Sequence, residues 1–234
     1  IEFLFKHKKS IVNQRELGMD TLDWGSALKN AMRQAPDCIL IGEIRDKETM
    51  QAAIAYAQTG HLCLGTLHAN NSYHALNRII NFFPLENRTS LNLDLSVTLK
   101  AIISQRLVRK PDGKRMPTCE VLLNTRHIQE LIERGEVQAI KDAMEQTLAP
   151  GSQTFEQDLF RLYRESTITL DEALANSNSP TNLSWLINNS ELTVEKKELK
   201  RPDSPLEFGS DSQSGGSSFK EFTLSLSDAD ENEE

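Results

Sequence analysis

CILIGEIRD, Cys38–Asp46, is a short apolar run that ends in charged residues. Its first four residues and the compact Gly42 have the nearly unbroken apolar character of a strand buried in a parallel sheet. Glu43 follows at the carboxyl end of that strand, and Asp46 has a side chain suited to a helix N-cap. The stretch therefore predicts a buried strand, a carboxylate at its end, and a helix directly after it.

The residues after Asp46 complete a strand, helix, strand pattern. Helical spacing continues to about Gly60, and HLCLGTLH, His61–His68, has the composition of a second strand. Such a unit within roughly thirty residues is a βαβ motif with parallel strands. Glu43 and His68 then share one sheet edge, where open α/β sheets bind ligands. Taken singly, either side chain could be an ordinary loop or capping residue.

The flanking segments also carry periodic patterns. IVNQREL, Ile11–Leu17, predicts an edge strand, and a helix capped by Asp23 is expected to end before Pro36. RKPDGKRMP, Arg109–Pro117, is rich in turn residues and predicts a domain boundary. One long helix is predicted from a stripe of apolar positions that ends in an arginine: Leu91, Leu95, Leu99, Ile102 and Arg106.

The remainder of the chain divides by composition. A strand at Cys119–Leu123 is followed by helical patterns to Ala175, including the capping box Thr154 and Gln157. From residue 176 Ser, Asn, Pro, Gly and acidic residues dominate, apart from the apolar island LSWLINN. We therefore predict an α/β core (1–117), a small, mainly helical domain (118–175) and a disordered acidic tail (176–234). The tail is either padding or a docking peptide centred on Trp185.

Charge and cysteine content limit the classes of function. The formal net charge is −8, and the segment 201–234 carries nine Asp and Glu against two Lys and Arg, so the rest is close to neutral. This balance argues against an extended nucleic-acid surface. The three cysteines have no CxxC spacing, which fits a reducing cytoplasm and predicts neither a disulfide framework nor a thiolate zinc site.

If this sheet edge faces a nucleoside triphosphate, an acid and an imidazole there have definite chemical tasks. A carboxylate can orient or deprotonate the attacking water, directly or through the water shell of a magnesium ion. A histidine can sense or stabilise the γ-phosphate. Glu43 and His68 are the candidates for these two tasks.

Three motifs resemble those of the type II/IV secretion ATPase superfamily. ILIGEIRD is similar to its atypical Walker B motif, TGHLCLGTLHANN to its His box, and IEF followed by VNQREL to the end of its Asp box. Their order and spacing agree, from Ile1 to about Ala175. Within the superfamily the sequence most resembles the PilT/PilU family of type IV pilus retraction motors, and RIINFFP, HANN and the acidic tail resemble its PilU branch.

The resemblance implies a RecA-like P-loop NTPase core, incomplete at its N-terminal side, that uses ATP and Mg²⁺. It implies that Glu2 is the general base that polarises water and that Glu43 supports Mg²⁺ coordination. It also implies that His68, together with His61, senses the phosphate.

Further implications concern arginines and partners. Arg15 and Arg106 are candidates for contacts with nucleotide or a neighbouring subunit, or for structural ion pairs. The implied partners are other copies of the chain in a homo-hexamer, a paralogous retraction ATPase and the inner-membrane pilus platform protein. The implied location is the cytoplasm, at the periphery of the inner membrane.

The sequence departs from the family pattern in two places. No GxxxxGK[ST] phosphate loop occurs, and the chain opens on IEF, so we expect a fragment of a longer ATPase that is inactive by itself. HIQELIERGEV resembles the AIRNLIRE helix linked to retraction, but Gln129 stands at its arginine position.

Three alternatives stay open at this point. The first is a pilus assembly or type II secretion ATPase of the same superfamily, and the second is a non-hydrolysing adaptor that assembles with an active retraction ATPase. The third is a metal-dependent hydrolase using His61, His68 and His74, which lacks an HExxH motif or comparable ligand spacing.

Overall fold

The computed structural model of the chain describes residues 1, 3–146 and 149–198, with side-chain surroundings as far as residue 189. Its strands are β1 (Cys38–Ile41), β2 (Leu62–Gly65), β3 (Ala101–Arg109) and β4 (Arg115–Leu123). Its helices are α1 (Trp24–Met32), α2 (Lys47–Gln58), α3 (Ser72–Asn81), α4 (Arg88–Thr98), α5 (Arg126–Arg134), α6 (Ile140–Gln146), α7 (Phe155–Arg164), α8 (Leu170–Asn176) and α9 (Pro180–Glu198). Among these described helices none is long and apolar enough to span a bilayer.

The predicted βαβ unit is confirmed. β1 and β2 are parallel, in a register that runs from Cys38 opposite Leu62 to Ile41 opposite Gly65. Asp46 caps α2 by accepting a hydrogen bond of 2.9 Å from the backbone N–H of Thr49. Both strands therefore end at the same edge of the sheet.

The prediction that β1 is buried throughout is wrong. Ile39 and Ile41 are buried, whereas the side chain of Leu40 is 53% exposed and Cys38 is also exposed. Successive strand residues point to opposite faces. One side of β1 therefore packs into the core and the other side is exposed, and an apolar run alone does not reveal that difference.

The predicted edge strand at Ile11–Leu17 is also wrong. Only Leu17 takes part in β-pairing there, in an isolated bridge to Thr21. A strand exists through hydrogen bonds to a neighbour, and no strand among the described residues pairs with this segment. The helix after it is confirmed, because Asp23 caps α1 and the helix ends before Pro36.

The single long helix predicted through Arg106 is wrong, because α4 ends at Thr98. Ile102 and Arg106 lie instead on β3, which pairs antiparallel with β4. The amide of Asn124 donates to the carbonyls of Ser96 (2.9 Å) and Leu99 (2.8 Å), so it satisfies acceptors that the end of α4 leaves free. Apolar spacing continues across this junction although the backbone conformation changes.

The turn predicted within Arg109–Pro117 is confirmed at residues 110–114, where Gly113 has φ +80°. The turn joins β3 and β4 into one hairpin, and β4 begins at Arg115, earlier than the predicted strand at Cys119–Leu123. The predicted boundary after Pro117 therefore falls inside β4. The division of the chain into three parts stays a prediction.

The buried apolar residues form two clusters. The carboxyl-terminal helices α7, α8 and α9 pack into the second of these, which contains Phe155. The capping box of Thr154 and Gln157 is confirmed at the start of α7. Leu183 and Ile187 of α9, in the segment assigned to the tail by composition, are buried against this cluster. The segment 199–234, where the acidic residues are concentrated, lies outside the described residues.

Candidate functional site

Glu43 and His68 meet at the carboxyl edge of the parallel strands, as predicted. Nε2 of His68 lies 3.0 Å from Oε1 of Glu43. Two contacts hold the strand ends together beyond the regular pairing. The backbone N–H of Ile44 donates to the carbonyl of Thr66 (2.9 Å), and the Thr66 hydroxyl donates to the carbonyl of Gly42. The β1 and β2 ends thus place an acid and an imidazole side by side.

Arg45 is the second partner of Glu43. Its Nε donates to Oε2 of Glu43 at 2.5 Å, and its Nη2 contacts the same oxygen. The Glu43 side chain is 21% exposed, whereas those of Arg45 and His68 are 74% and 78% exposed. The carboxylate therefore lies beneath two groups that face solvent and are accessible to a phosphate.

Hydrogen bonding controls the ionisation of Glu43. The hydrogen bond from Arg45 lowers the pKa of the carboxyl group below its ordinary value, and the charges of Arg45, His68 and Arg78 act in the same direction. Partial burial opposes this shift. Glu43 is therefore a carboxylate at neutral pH, which is the form that can accept a proton from water or interact with a metal-bound water.

The His68 loop, residues 67–71, is fixed from both sides. Arg78 of α3 donates to the carbonyl of His68 (3.1 Å), and Asn71 caps α3 by accepting from the backbone N–H of His74 (2.8 Å). An open cleft of about 860 Å³ lies between this loop and the side of α3 that carries His74 and Arg78. The cleft leaves His68 accessible from solvent.

Other predicted site residues lie elsewhere. His61 precedes β2 and its Nδ1 lies 2.9 Å from the hydroxyl of Thr59, so it stands at the opposite end of that strand from His68. Arg15 donates to the carbonyl of Ala27 in α1 at 3.4 Å. Glu2 lies outside the described residues. The roles assigned to these three residues stay predictions.

Arg106 has partners within the chain itself. Its guanidinium donates to the carbonyls of Asn70 and Asn176 and to the side chain of Asn178. Contact with nucleotide or a neighbouring subunit is untested, but the described contacts account for several of its hydrogen-bond donors.

The described residues contain no group of three or more His, Cys, Asp or Glu side chains able to hold a metal ion. His61 also stands apart from His68 along β2, which removes the geometric basis of a three-histidine site. Mg²⁺ usually keeps several waters and takes few protein ligands, so a lone carboxylate is compatible with supporting it. The Mg²⁺ role that the resemblance implies for Glu43 stays a prediction.

Sequence reasoning missed Arg45 and Arg78 at this site. Arg45 stands two residues after Glu43, in the same quoted stretch, so its proximity could have been inferred. Arg78 reaches the His68 carbonyl from α3, and that contact depends on how α3 packs beside the strand ends. The sequence offered no comparable signal for it.

Comparisons with known proteins agree with this geometry. The type II/IV secretion system protein family matches residues 6–128. The type IV pilus ATPase PilU of Pseudomonas aeruginosa is 50% identical over 188 residues, which cover 80% of this chain and 49% of that protein. The pilus retraction ATPase PilT of the same organism is 37% identical over 182 residues, covering 78% of this chain and 53% of PilT.

A solved structure shows the same fold. The crystal structure of the pilus retraction motor PilT with bound ADP superposes with a TM-score of 0.70 at 42% identity, covering 79% of this chain and 52% of PilT. The chain thus spans about half the length of the relatives it matches. Its α/β core is therefore part of a RecA-like ATPase fold. With both its sheet-edge geometry and its sequence in agreement, the chain belongs to the type II/IV secretion system protein family.

Proposed function

We propose that this chain is the carboxyl-terminal half of a motor ATPase that hydrolyses ATP to retract type IV pili. The observation that carries the proposal is the contact between Glu43 and His68 at the carboxyl edge of parallel strands. This edge is where α/β proteins bind nucleotides. The similarity to PilU and PilT over about four-fifths of the chain supports retraction rather than assembly or secretion.

The site residues divide the chemistry between them. Glu43, held as a carboxylate by Arg45, orients water or supports the hydrated Mg²⁺ that accompanies ATP. The exposed imidazole of His68 contacts the γ-phosphate, so the conformation of the strand edge depends on whether that phosphate is bound. Glu2 acts as the general base, a role that rests on the family resemblance.

The proposed motor also needs a phosphate-binding loop and partner proteins. A loop of backbone amides with a lysine cradles the phosphates in P-loop NTPases, and GxxxxGK[ST] does not occur in these 234 residues. We propose that the full-length protein supplies this loop and assembles as a homo-hexamer. Its proposed partners are a paralogous retraction ATPase and the inner-membrane pilus platform protein, which it meets at the cytoplasmic face of that membrane.

The decisive experiment measures ATP hydrolysis by the purified full-length protein and its variants. Glu43→Gln and Glu43→Ala are expected to lower kcat at least ~100-fold, as for loss of a positioned catalytic group. Glu86→Gln is the matched control, because Glu86 is an exposed glutamate remote from the strand edge in sequence. Unchanged turnover in both Glu43 variants would refute the role of Glu43, and absence of nucleotide hydrolysis in the unmodified protein would refute the proposed activity.

A further inference from the structure

Arg106 occupies an unusual position for a charged side chain. It lies on the face of β3 that also carries Ile102, Ser104 and Val108, and both Ser104 and Val108 are buried. Charged groups are seldom placed in such a row unless their hydrogen bonds and charge are satisfied. The contacts of its guanidinium therefore indicate what this residue does.

The guanidinium bridges two separate segments of the chain. On one side Nη2 donates to the carbonyl of Asn70 (3.1 Å), which lies two residues after His68. On the other side Nη1 donates to the carbonyl of Asn176 (2.7 Å), at the end of α8, and Nη2 contacts the side-chain oxygen of Asn178. One side chain thus joins the His68 loop to the connection between α8 and α9.

An aromatic ring packs against this bridge. The guanidinium carbon lies 4.1 Å from the centre of the Phe155 ring, and Phe155 is completely buried. Stacking on an aromatic face restricts the rotation of a guanidinium and directs its N–H groups in fixed directions. Burial lowers the pKa of Arg106, and the charges of Glu120 and Glu156 oppose that shift, so the two carboxylates compensate part of the desolvation.

Those two carboxylates also hold the segments that Arg106 joins. Glu120 of β4 accepts hydrogen bonds of 2.7 Å from both the backbone N–H and the hydroxyl of Ser72, the first residue of α3. Glu156 of α7 accepts from the hydroxyl of Ser177 and from the backbone N–H groups of Asn178 and Ser179. A buried acid therefore holds the residue that follows the His68 loop, a second buried acid holds the α8–α9 connection, and Arg106 links the two segments.

From this arrangement we infer that Arg106 is a positioning residue that sets the His68 loop against Glu43 and couples it to the carboxyl-terminal helices. The inference rests on the proposed ATPase function and deepens it. A movement of α8 and α9 would shift the guanidinium, and through Asn70 it would change the position of His68. Conversely, a phosphate bound at His68 would change the position of α8 and α9 through the same contacts.

The first test uses ATP hydrolysis by the full-length protein. Arg106→Lys keeps the positive charge but loses the planar fork, so we expect kcat to fall about 10-fold while the dissociation constant for a fluorescent ADP analogue changes less than about 2-fold. Arg109→Lys is the matched control on the same strand, because the Arg109 side chain is exposed, and it is expected to match the unmodified protein. Equal kcat in both lysine variants would overturn the inference.

A double-mutant cycle distinguishes positioning from general structural support. If Arg106 acts through His68, Arg106→Lys should lower kcat by less than about 2-fold further in a His68→Ala background. Fully additive losses would overturn the inference. Should Arg106→Lys fail to fold, Asn178→Ala removes one contact on the far side of the bridge, and its smaller loss of kcat is expected to disappear in the same background.

A second readout does not depend on turnover. The ring ¹H–¹³C resonance of His68, in selectively labelled full-length protein, is expected to shift in Arg106→Lys and in Glu43→Gln but not in Arg109→Lys. An unchanged His68 resonance in Arg106→Lys would overturn the inference. If the unmodified protein hydrolyses no ATP, the proposed function fails, and this resonance still decides whether Arg106 positions His68.

Discussion

Nε2 of His68 lies 3.0 Å from Oε1 of Glu43, although a strand, a helix and a turn separate the two residues along the chain. Parallel pairing of β1 with β2 produces the contact, because it brings both carboxyl ends to one edge. The same edge exposes the imidazole and keeps the carboxylate beneath it.

The first prediction concerns the pH dependence of ATP hydrolysis. Because the hydrogen bond from Arg45 lowers the pKa of Glu43, the ionised, paired state is complete above the ordinary carboxyl pKa and is lost as pH falls through the lowered value. In Arg45→Gln the pKa of Glu43 rises toward its ordinary value. We expect the acid limb of the pH–kcat profile to move to higher pH, while Arg115→Gln, at an exposed arginine of β4, leaves it in place. An acid limb that remains at the same pH in Arg45→Gln would contradict its assignment to Glu43.

The second prediction tests the close packing at the strand ends. A Cβ added at Gly65 would lie 2.6 Å from Cδ1 of Ile44, a buried residue that stands between Glu43 and Arg45 in the sequence, whereas a Cβ at Gly42 would meet nothing within 4 Å. Gly65→Ala should therefore destabilise the fold by about 1–3 kcal/mol, as overpacking does. It should also lower ATP turnover by displacing Glu43. Gly42→Ala is the control, and equal urea midpoints for the two variants would refute this account.

The third prediction concerns the cap of α2. Asp46 accepts from both the backbone N–H and the hydroxyl of Thr49, and the backbone hydrogen bond is the main reason that its pKa is lowered. Asp46→Ala should lower the free energy of unfolding by about 1 kcal/mol at neutral pH. The difference should shrink as pH falls through the lowered pKa, because protonation removes the charged acceptor. Urea titrations at several pH values measure this, with Asp37→Ala, an exposed aspartate just before β1, as the control.

The fourth prediction concerns α9. Leu183 is completely buried, whereas Trp185 on the same helix is 64% exposed. Leu183→Ala should lower the free energy of unfolding by about 2–5 kcal/mol, the usual cost of a cavity in a core. Trp185→Ala should change it by less than about 0.5 kcal/mol, as exposed substitutions do. If the two variants unfold at the same urea concentration, α9 does not pack as described.

Local signals predicted the features that depend on neighbours in sequence. Asp23, Asp46 and Thr154 each cap the helix that follows them, because a cap is formed by a side chain and an N–H group two or three residues later. The parallel βαβ unit was predictable for a similar reason, since a helical crossover leaves two successive strands parallel.

Sequence patterns gave wrong predictions where strand pairing or burial depends on residues far away in the chain. Ile102 and Arg106 continue the periodicity of α4, yet they lie on β3 because β4, beyond the turn, supplies hydrogen-bond partners. Leu183 looked like part of an acidic tail by composition, yet it is buried because α7 lies beside it. Composition is an average over a whole segment, so it does not show that one face of a helix in that segment packs against a hydrophobic core.

The sequence by itself determined that a carboxylate and an imidazole follow two parallel strands. The apolar runs show where each strand ends, and the capped helix between them makes the two strands parallel. Only the tertiary structure decided that Arg78 of α3 holds the His68 loop, and that Arg106 ties this loop to the last helices. Those contacts depend on side-chain directions and on packing between segments far apart in the chain, which no local pattern of residues encodes.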